Sequence, residues 1–339
     1  MQLLSDSAAT LSDGREEARR RRRAELENRF GGVIGRALAD PRVTDVVVNP
    51  DGCIYVDRLY EGPVRLEETL SPAAIENAII TAAGELGVVV DEQSPVLQGE
   101  LPLDGSRLLG LVPPVVTSPA LAIRKHRRQG VDDVPALTMS DYVQDELMPA
   151  NFAPLLEAAV VARQNVLICG STGSGKTTLG GAYLSLITSL APEQRIVTIE
   201  DTYELYCTSQ NRVALREAEH RSMRQLLKDS MRLRPDRIVF GEVRDAAAHD
   251  LIMSWNTGHN GGFCTVHANN VREALSRIEV LVQQAGVPVI PAYIAMAIQV
   301  IVGMQRETAG RYRRRVTEFA YVRGHRNGAY ELDWIEPQW

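Results

Sequence analysis

Gly170-Ser171-Thr172-Gly173-Ser174-Gly175-Lys176-Thr177-Thr178 decides how the rest of this chain is read. The five residues before it, Asn165-Val166-Leu167-Ile168-Cys169, are mostly apolar and predict a buried strand. The residues after it, 179–190, predict a helix. Strand, glycine-rich turn and helix in that order make a phosphate-binding loop. Gly170, Gly173 and Gly175 let the backbone curl until several N–H groups point at one spot, at the positive end of a helix. Ser171, Thr172, Gly173, Ser174, Gly175, Lys176, Thr177 and Thr178 are therefore the candidate nucleotide-binding residues. Lys176 is placed to reach the β- and γ-phosphates of ATP, and the Thr177 hydroxyl to ligate Mg²⁺.

Composition bounds the rest. The chain has 339 residues, of which 45% are hydrophobic and 24% charged, so it can build two cores of ordinary globular kind. A net charge of −6 argues against nucleic acid as the main partner. Lys125, Lys176 and Lys228 are the only lysines, so the phosphate loop holds one of three in a chain whose positive charge is otherwise arginine. Cys53, Cys169, Cys207 and Cys264 are scattered without a CxxC pair, which fits a reducing compartment and offers no metal cage. No apolar run reaches the roughly 18 residues of a membrane helix. The best stretch, 294–304, is short and carries Gln299. With no leader-like apolar segment at the N-terminus, the expected location is cytoplasmic, with any membrane contact peripheral.

The expected fold class is α/β: an N-terminal α+β domain, then a phosphate-loop domain with a mostly parallel sheet. Residues 1–25 form a basic extension with five consecutive arginines, Arg19 to Arg23. Such a run is either a solvated helix face or a contact for an anionic surface. Residues 26–130 open with two β-rich runs joined by Asn49-Pro50-Asp51-Gly52, a hairpin signature. Ser71-Pro72 starts a helix, with serine as cap and proline in its first turn. Three short strands follow, near 96–101, 106–111 and 120–124. Residues 131–150 are expected to connect the domains, because 129–135 is polar and turn-rich. In residues 151–339 strands and helices alternate after the phosphate loop, the pattern of a parallel sheet covered by helices.

Three more segments carry chemistry. Glu200 and Asp201 end the predicted strand 196–200, and ligands of open α/β sheets gather at such strand ends. Glu200 is a candidate for catalysis and for holding Mg²⁺, although such acids also cap helices. Glu242 ends the strand 237–242. It can polarise an attacking water, or simply pair with Arg244. Gly241 stands where many phosphate-loop enzymes place a metal-holding Asp. His267 ends the strand 262–267, on the side of the other motifs. Arg107 and Arg124 lie near strand ends of the first domain, where guanidinium forks suit phosphate oxygens or surface ion pairs.

GSTGSGKTT, TIEDTYEL, MRLRPDRIVFGEVRD and TGHNGGFCTVHANN, in this order, resemble the secretion-ATPase superfamily that serves type II and type IV secretion and type IV pili. The stretch ALADPRVTDVVVNPDGCIYVDR is similar to the conjugal-transfer, TrbB-like branch. The resemblance implies a RecA-like ATPase domain and Mg²⁺-dependent ATP hydrolysis. It implies a homo-oligomeric ring, expected to be a hexamer, working with inner-membrane components of a type IV secretion or conjugation apparatus. No direct sequence-specific nucleic acid contact is expected, the alternative being a nucleic-acid-stimulated ATPase of related fold. The resemblance also implies that Glu200, Glu242 and His267 are the functional positions of their boxes. By the same resemblance, Arg107 and Arg124 reach nucleotide phosphates, and Arg244 reports nucleotide state.

Overall fold

A computed structural model describes residues 32–58, 61–101, 105–125, 137–218, 220–307 and 313–339. The basic extension 1–25 and its arginine run lie outside the described residues. The chain divides into two compact units, residues 1–127 and 128–339.

The first unit has one six-stranded sheet, in the order β3-β2-β1-β6-β5-β4. Its strands are β1 (Val43–Val48), β2 (Cys53–Arg58), β3 (Gly62–Thr69), β4 (Val96–Glu100), β5 (Arg107–Leu111) and β6 (Ala120–Arg124). The β1–β2 hairpin turns at Gly52, whose φ of 81° is left-handed; the Leu70 carbonyl oxygen stands 2.2 Å from where its Cβ would be. Two helices, α1 (Gly32–Ala39) and α2 (Pro72–Leu86), cover one face. The Ser71 hydroxyl caps α2 by accepting from the Ala74 amide, and Gly87 ends it in the left-handed conformation. Period-2 alternation sorts the side chains. Val46, Val48, Leu108, Leu121 and Ile123 point into the core, and their neighbours face away from the helices. On that second face Asp45, Arg124 and Arg107 are direct partners in one row across β1, β6 and β5. Strand β3 has no counterpart in the sequence reading.

The second unit holds an eight-stranded sheet ordered β14-β13-β12-β7-β11-β10-β8-β9. Strands β7 (Val166–Gly170), β8 (Ile196–Glu200), β9 (Arg212–Arg216), β10 (Arg237–Phe240), β11 (Phe263–His267) and β12 (Val300–Glu307) run parallel. β13 (Arg313–Arg326) and β14 (Ala329–Trp334) add two antiparallel strands at one side. Helices α3 (Met139–Gln144), α4 (Phe152–Val161) and α5 (Lys176–Leu190) pack on one face. Helices α6 (Met223–Ser230), α7 (Ala247–Asn256), α8 (Val271–Gln283) and α9 (Pro291–Ala297) pack on the other. β7, β8 and β10 are buried along their whole length, which is why they read as continuous apolar runs.

The second half of the expected connection, 137–150, is built into this unit. Thr138 and Asp141 form a capping box that starts α3, and Met139, Tyr142, Leu147 and Met148 are buried in the core beneath it. Strands β9 and β12 and helix α9 were not expected either. Among the described residues, no helix is long and apolar enough to cross a membrane.

At the end of the sheet where β10 begins, Arg237 is only 1% exposed. Its guanidinium donates to Gln194 Oε1 at 2.6 Å, the Gly261 carbonyl at 2.6 Å and the Val160 carbonyl at 2.9 Å. The last of these lies in the final turn of α4, where a cation suits the helix dipole. This staple fixes the loop that feeds β11. The loop is also held by contact: a Cβ on Gly262 would stand 1.8 Å from the Ile238 carbonyl oxygen. Gly262→Ala is therefore expected to destabilise the second unit by about 3 kcal/mol. A urea midpoint equal to wild type would show that the backbone yields there.

Candidate functional site

β7, β11, β10 and β8 are consecutive in the sheet, and being parallel they present their carboxyl ends at one edge. The four sequence motifs leave from those four ends.

The phosphate loop follows β7 and enters α5. Gly173 and Gly175 have φ of 72° and 94°, and Gly175 is the residue before the first turn of the helix. Gly170 admits no side chain, because a Cβ would stand 2.4 Å from Ser174 Oγ and 2.6 Å from the Met304 carbonyl oxygen. Ser171, Thr172 and Gly173 are exposed, Thr177 and Thr178 are half-buried, and Ser174 is buried with its hydroxyl unpartnered. Lys176 is 6% exposed. Its ammonium donates to the carbonyls of Gly170, at 2.9 Å, and Ser171, at 3.0 Å. Burial lowers its pKa, against the pull of Glu242.

His267 lies beside it, with Nδ1 3.1 Å from Lys176 Nζ. An ammonium only donates, so Nδ1 accepts and the ring proton sits on Nε2. Nε2 in turn is 2.8 Å from Glu242 Oε1. Burial first, then the Lys176 and Arg244 cations, lower the His267 pKa against the pull of Glu242, and the imidazole is neutral. The other carboxylate oxygen of Glu242 accepts from Arg244 Nη2 at 3.0 Å, and Arg244 Nη1 donates to Asp201 at 2.7 Å. Lys176, His267, Glu242, Arg244 and Asp201 thus form one continuous polar chain. Burial alone would lower the Arg244 pKa, but the two carboxylates raise it overall.

Glu242 owes its position to backbone bonds on both sides. The Gly241 amide donates to the Ile199 carbonyl at 2.8 Å and the Val243 amide to the Thr265 carbonyl at 2.9 Å. Gly241 also makes room for Glu200: a Cβ there would stand 3.0 Å from Glu200 Cγ. Glu200 itself is 2% exposed. Its Oε1 accepts from the amides of Glu204 and Leu205, at 3.1 and 2.9 Å. Its buried Oε2 has no partner. Burial pushes the carboxyl up to about 8 despite those two amides. A buried carboxylate oxygen without a donor, at the same edge of the sheet as a phosphate loop with a threonine hydroxyl, fits a hydrated divalent cation. Among the described residues no cluster of three or more His, Cys, Asp or Glu side chains could cage a metal by itself.

A cavity of about 470 Å³ opens from Ser171 and Thr172 past His267 to Asn269, Glu273 and Arg277 on α8. The sequence reading had not reached Glu273 and Arg277. It also missed Arg306 and Arg314, whose side chains lie within 4 Å of the Cβ positions of Gly173 and Gly175. Arg306 lies on β12 and Arg314 on its partner β13, and the sequence reading took part of β12 only as an apolar stretch too short for a membrane. Arg107 and Arg124 belong to the first unit, where Arg124 Nε donates to Asp45 at 2.9 Å.

Comparison with known proteins agrees with this layout. Residues 32–318 match the family model described as "Type II/IV secretion system protein". The chain is 39% identical over 308 residues to "Conjugal transfer protein TrbB" of Rhizobium radiobacter, covering 91% of this chain and 92% of that one. It is 31% identical over 275 residues to "Protein VirB11" of Agrobacterium fabrum, covering 73% and 78%. Among solved structures, the Yersinia pseudotuberculosis ATPase DotB shares the fold with a TM-score of 0.61 at 19% identity, covering 82% of this chain and 75% of that one. A match over residues 32–318, most of both units, establishes that this chain belongs to the type II/IV secretion system protein family.

Proposed function

We propose that the chain is an ATP-hydrolysing motor that energises type IV secretion or conjugative transfer. The observation that carries this is the chain of contacts from Lys176 through His267 to Glu242, laid across the mouth of the phosphate loop. Two of the relatives named above are, by their own names, a conjugal transfer protein and an ATPase.

The loop amides and Lys176 bind the triphosphate. To do so the ammonium turns from the carbonyls of Gly170 and Ser171 toward phosphate oxygens, about a hydrogen bond's length away in either direction. Thr177 and Glu200 would hold Mg²⁺, directly or through water, and the ion would supply neutralisation of the charge that builds on the phosphates. Glu242 takes a proton from the water whose oxygen attacks the γ-phosphorus as the bond to ADP breaks. His267 lies beside the same carboxylate, with Nε2 2.8 Å from Oε1, and limits where it can move. Arg107 and Arg124, paired on the second face of the first unit, bind phosphate oxygens of the nucleotide. The working form is a homo-oligomeric ring, expected to be a hexamer, at the cytoplasmic face of the inner membrane beside components of the transfer apparatus.

Lys176→Ala is expected to lower phosphate release by about 100-fold or more, the cost of removing a transition-state donor. Glu242→Gln should cut turnover by at least about 100-fold while ATP still binds, since it removes a base and leaves the cradle. Turnover at the wild-type rate in either variant overturns the hydrolytic reading. For the first unit, Arg107→Ala and Arg124→Ala should each weaken ATP binding by about tenfold, the worth of a hydrogen bond to a charged group. Calorimetric affinities unchanged in both would confine these arginines to the ion pairs of their own sheet.

A further inference from the structure

β12 lies on the side of β7 away from β11, so it flanks the phosphate loop opposite His267. Met304 is the register partner of Gly170, which makes β12 continue past the point where β7 gives way to the loop. Its methyl carbon stands 3.4 Å from the Cβ position of Gly175. The two residues beyond Met304 carry the strand to Arg306, and the antiparallel partner β13 returns through Arg314.

Arg306 and Arg314 are direct partners in that ladder. Directly opposed residues of an antiparallel pair project from the same face. Here it is the face of Met304 and Val316, which are buried against α5 and its neighbours. Arg306 Nη1 comes within 3.8 Å of the Cβ position of Gly173. The stem of Arg314, at Cβ and Cδ, lies 3.4 Å from that of Gly175. The acid next in the hairpin, Glu307, projects from the other face and is engaged by Arg315 at 3.0 Å. Arg315 is itself held over the Trp339 ring, 3.7 Å from its centroid.

The two flanks of the loop therefore differ in charge. The β11 side carries Glu242 and Asp201 around one arginine, and the β12 side carries two arginines in register. Resting on the nucleotide reading above, we propose that Arg306 and Arg314 form a second phosphate-binding wall. They grip oxygens of the nucleotide's phosphate chain from the β12 side, while the β11 side positions the attacking water. The ligand they recognise is the polyphosphate, not the base.

Titration calorimetry with ATP and with inorganic tripolyphosphate tests this on the full chain, for wild type, Arg306→Gln, Arg314→Gln and the double variant. Each substitution is expected to weaken both ligands by about tenfold. The loss should shrink as salt is raised, because part of the binding is long-range charge. Arg306→Lys and Arg314→Lys keep the stem and the charge, and should retain affinity between wild type and the Gln variants even where Gln lowers the melting temperature. Gln variants that fold and bind both ligands within about twofold of wild type overturn the second wall and leave the hydrolytic reading intact. A wild-type chain that binds neither ATP nor tripolyphosphate overturns both.

Discussion

A parallel sheet has one constraint from which the site follows: every strand delivers its carboxyl end to the same edge. Six adjacent parallel strands, from β12 to β9, bring six chain exits into one row. Four of those exits carry the phosphate loop, His267, Glu242 and Glu200. They are separated by up to about a hundred residues in sequence, yet hydrogen bonds between neighbouring strands fix their spacing. The Gly241 and Val243 amides bond to β8 and β11, so Glu242 cannot move along the sheet without breaking backbone bonds on both sides. The chemistry is therefore positioned by the most rigid part of the fold, and the loops supply only the turn geometry.

Burial then sets the charge states. Lys176 and Glu200 are both almost fully covered, yet they are treated differently. The ammonium finds two carbonyls and an imidazole, so each of its three protons has an acceptor. The Glu200 carboxylate finds two amides on one oxygen and nothing on the other, and its pKa rises to about 8. A raised carboxyl pKa means the folded chain holds this proton more tightly than the unfolded chain does. Its contribution to stability is complete below the ordinary carboxylate range and is lost as pH climbs toward 8. A cation beside Oε2 reverses that trend, since it favours the ionised form. Gly241 eases the fit of Glu200: a Cβ there would stand 3.0 Å from Glu200 Cγ, so a larger residue would crowd it.

Much of this was legible in the sequence because the signals were local. The phosphate loop needs left-handed backbone at Gly173 and Gly175 and close approach at Gly170, and no other residue type meets those demands as well. Buried parallel strands announce themselves as short apolar runs, and β7, β8, β10 and β11 were read to within a residue or two. What escaped had no local signature. β9 alternates half-buried and exposed residues at a sheet edge, with arginines at both ends, and reads as a polar stretch. The capping box of α3, Thr138 with Asp141, adjoins a turn-rich segment and went unread, although the helix itself was expected at 140–145, one residue late. β12 follows α9 so closely that the two merge into one apolar run, and the period cannot separate a buried strand from a helix. The partners of Arg244 were only partly legible. Glu242 is two residues away, but Asp201 is forty-three residues off and adjoins it only because β8 and β10 pair.

The two units share one electrostatic device. In each, two arginines occupy directly opposed positions of an antiparallel pair: Arg107 with Arg124 in the first, Arg306 with Arg314 in the second. Like charges there cost stability unless something negative is supplied. The first unit supplies part of it internally, because Asp45 is next in the same row and accepts from Arg124. In the second unit the pair lies beside the phosphate loop, with Arg306 Nη1 3.8 Å from the Cβ position of Gly173 and the Arg314 stem 3.4 Å from that of Gly175. Arginine serves this better than lysine, since a planar fork can hold two oxygens while its stem packs against backbone. The near absence of lysine from the chain then has a physical sense at these sites. Where one point charge must turn between carbonyls and phosphate, the chain uses Lys176; where a fixed surface must face an anion, it uses paired arginines.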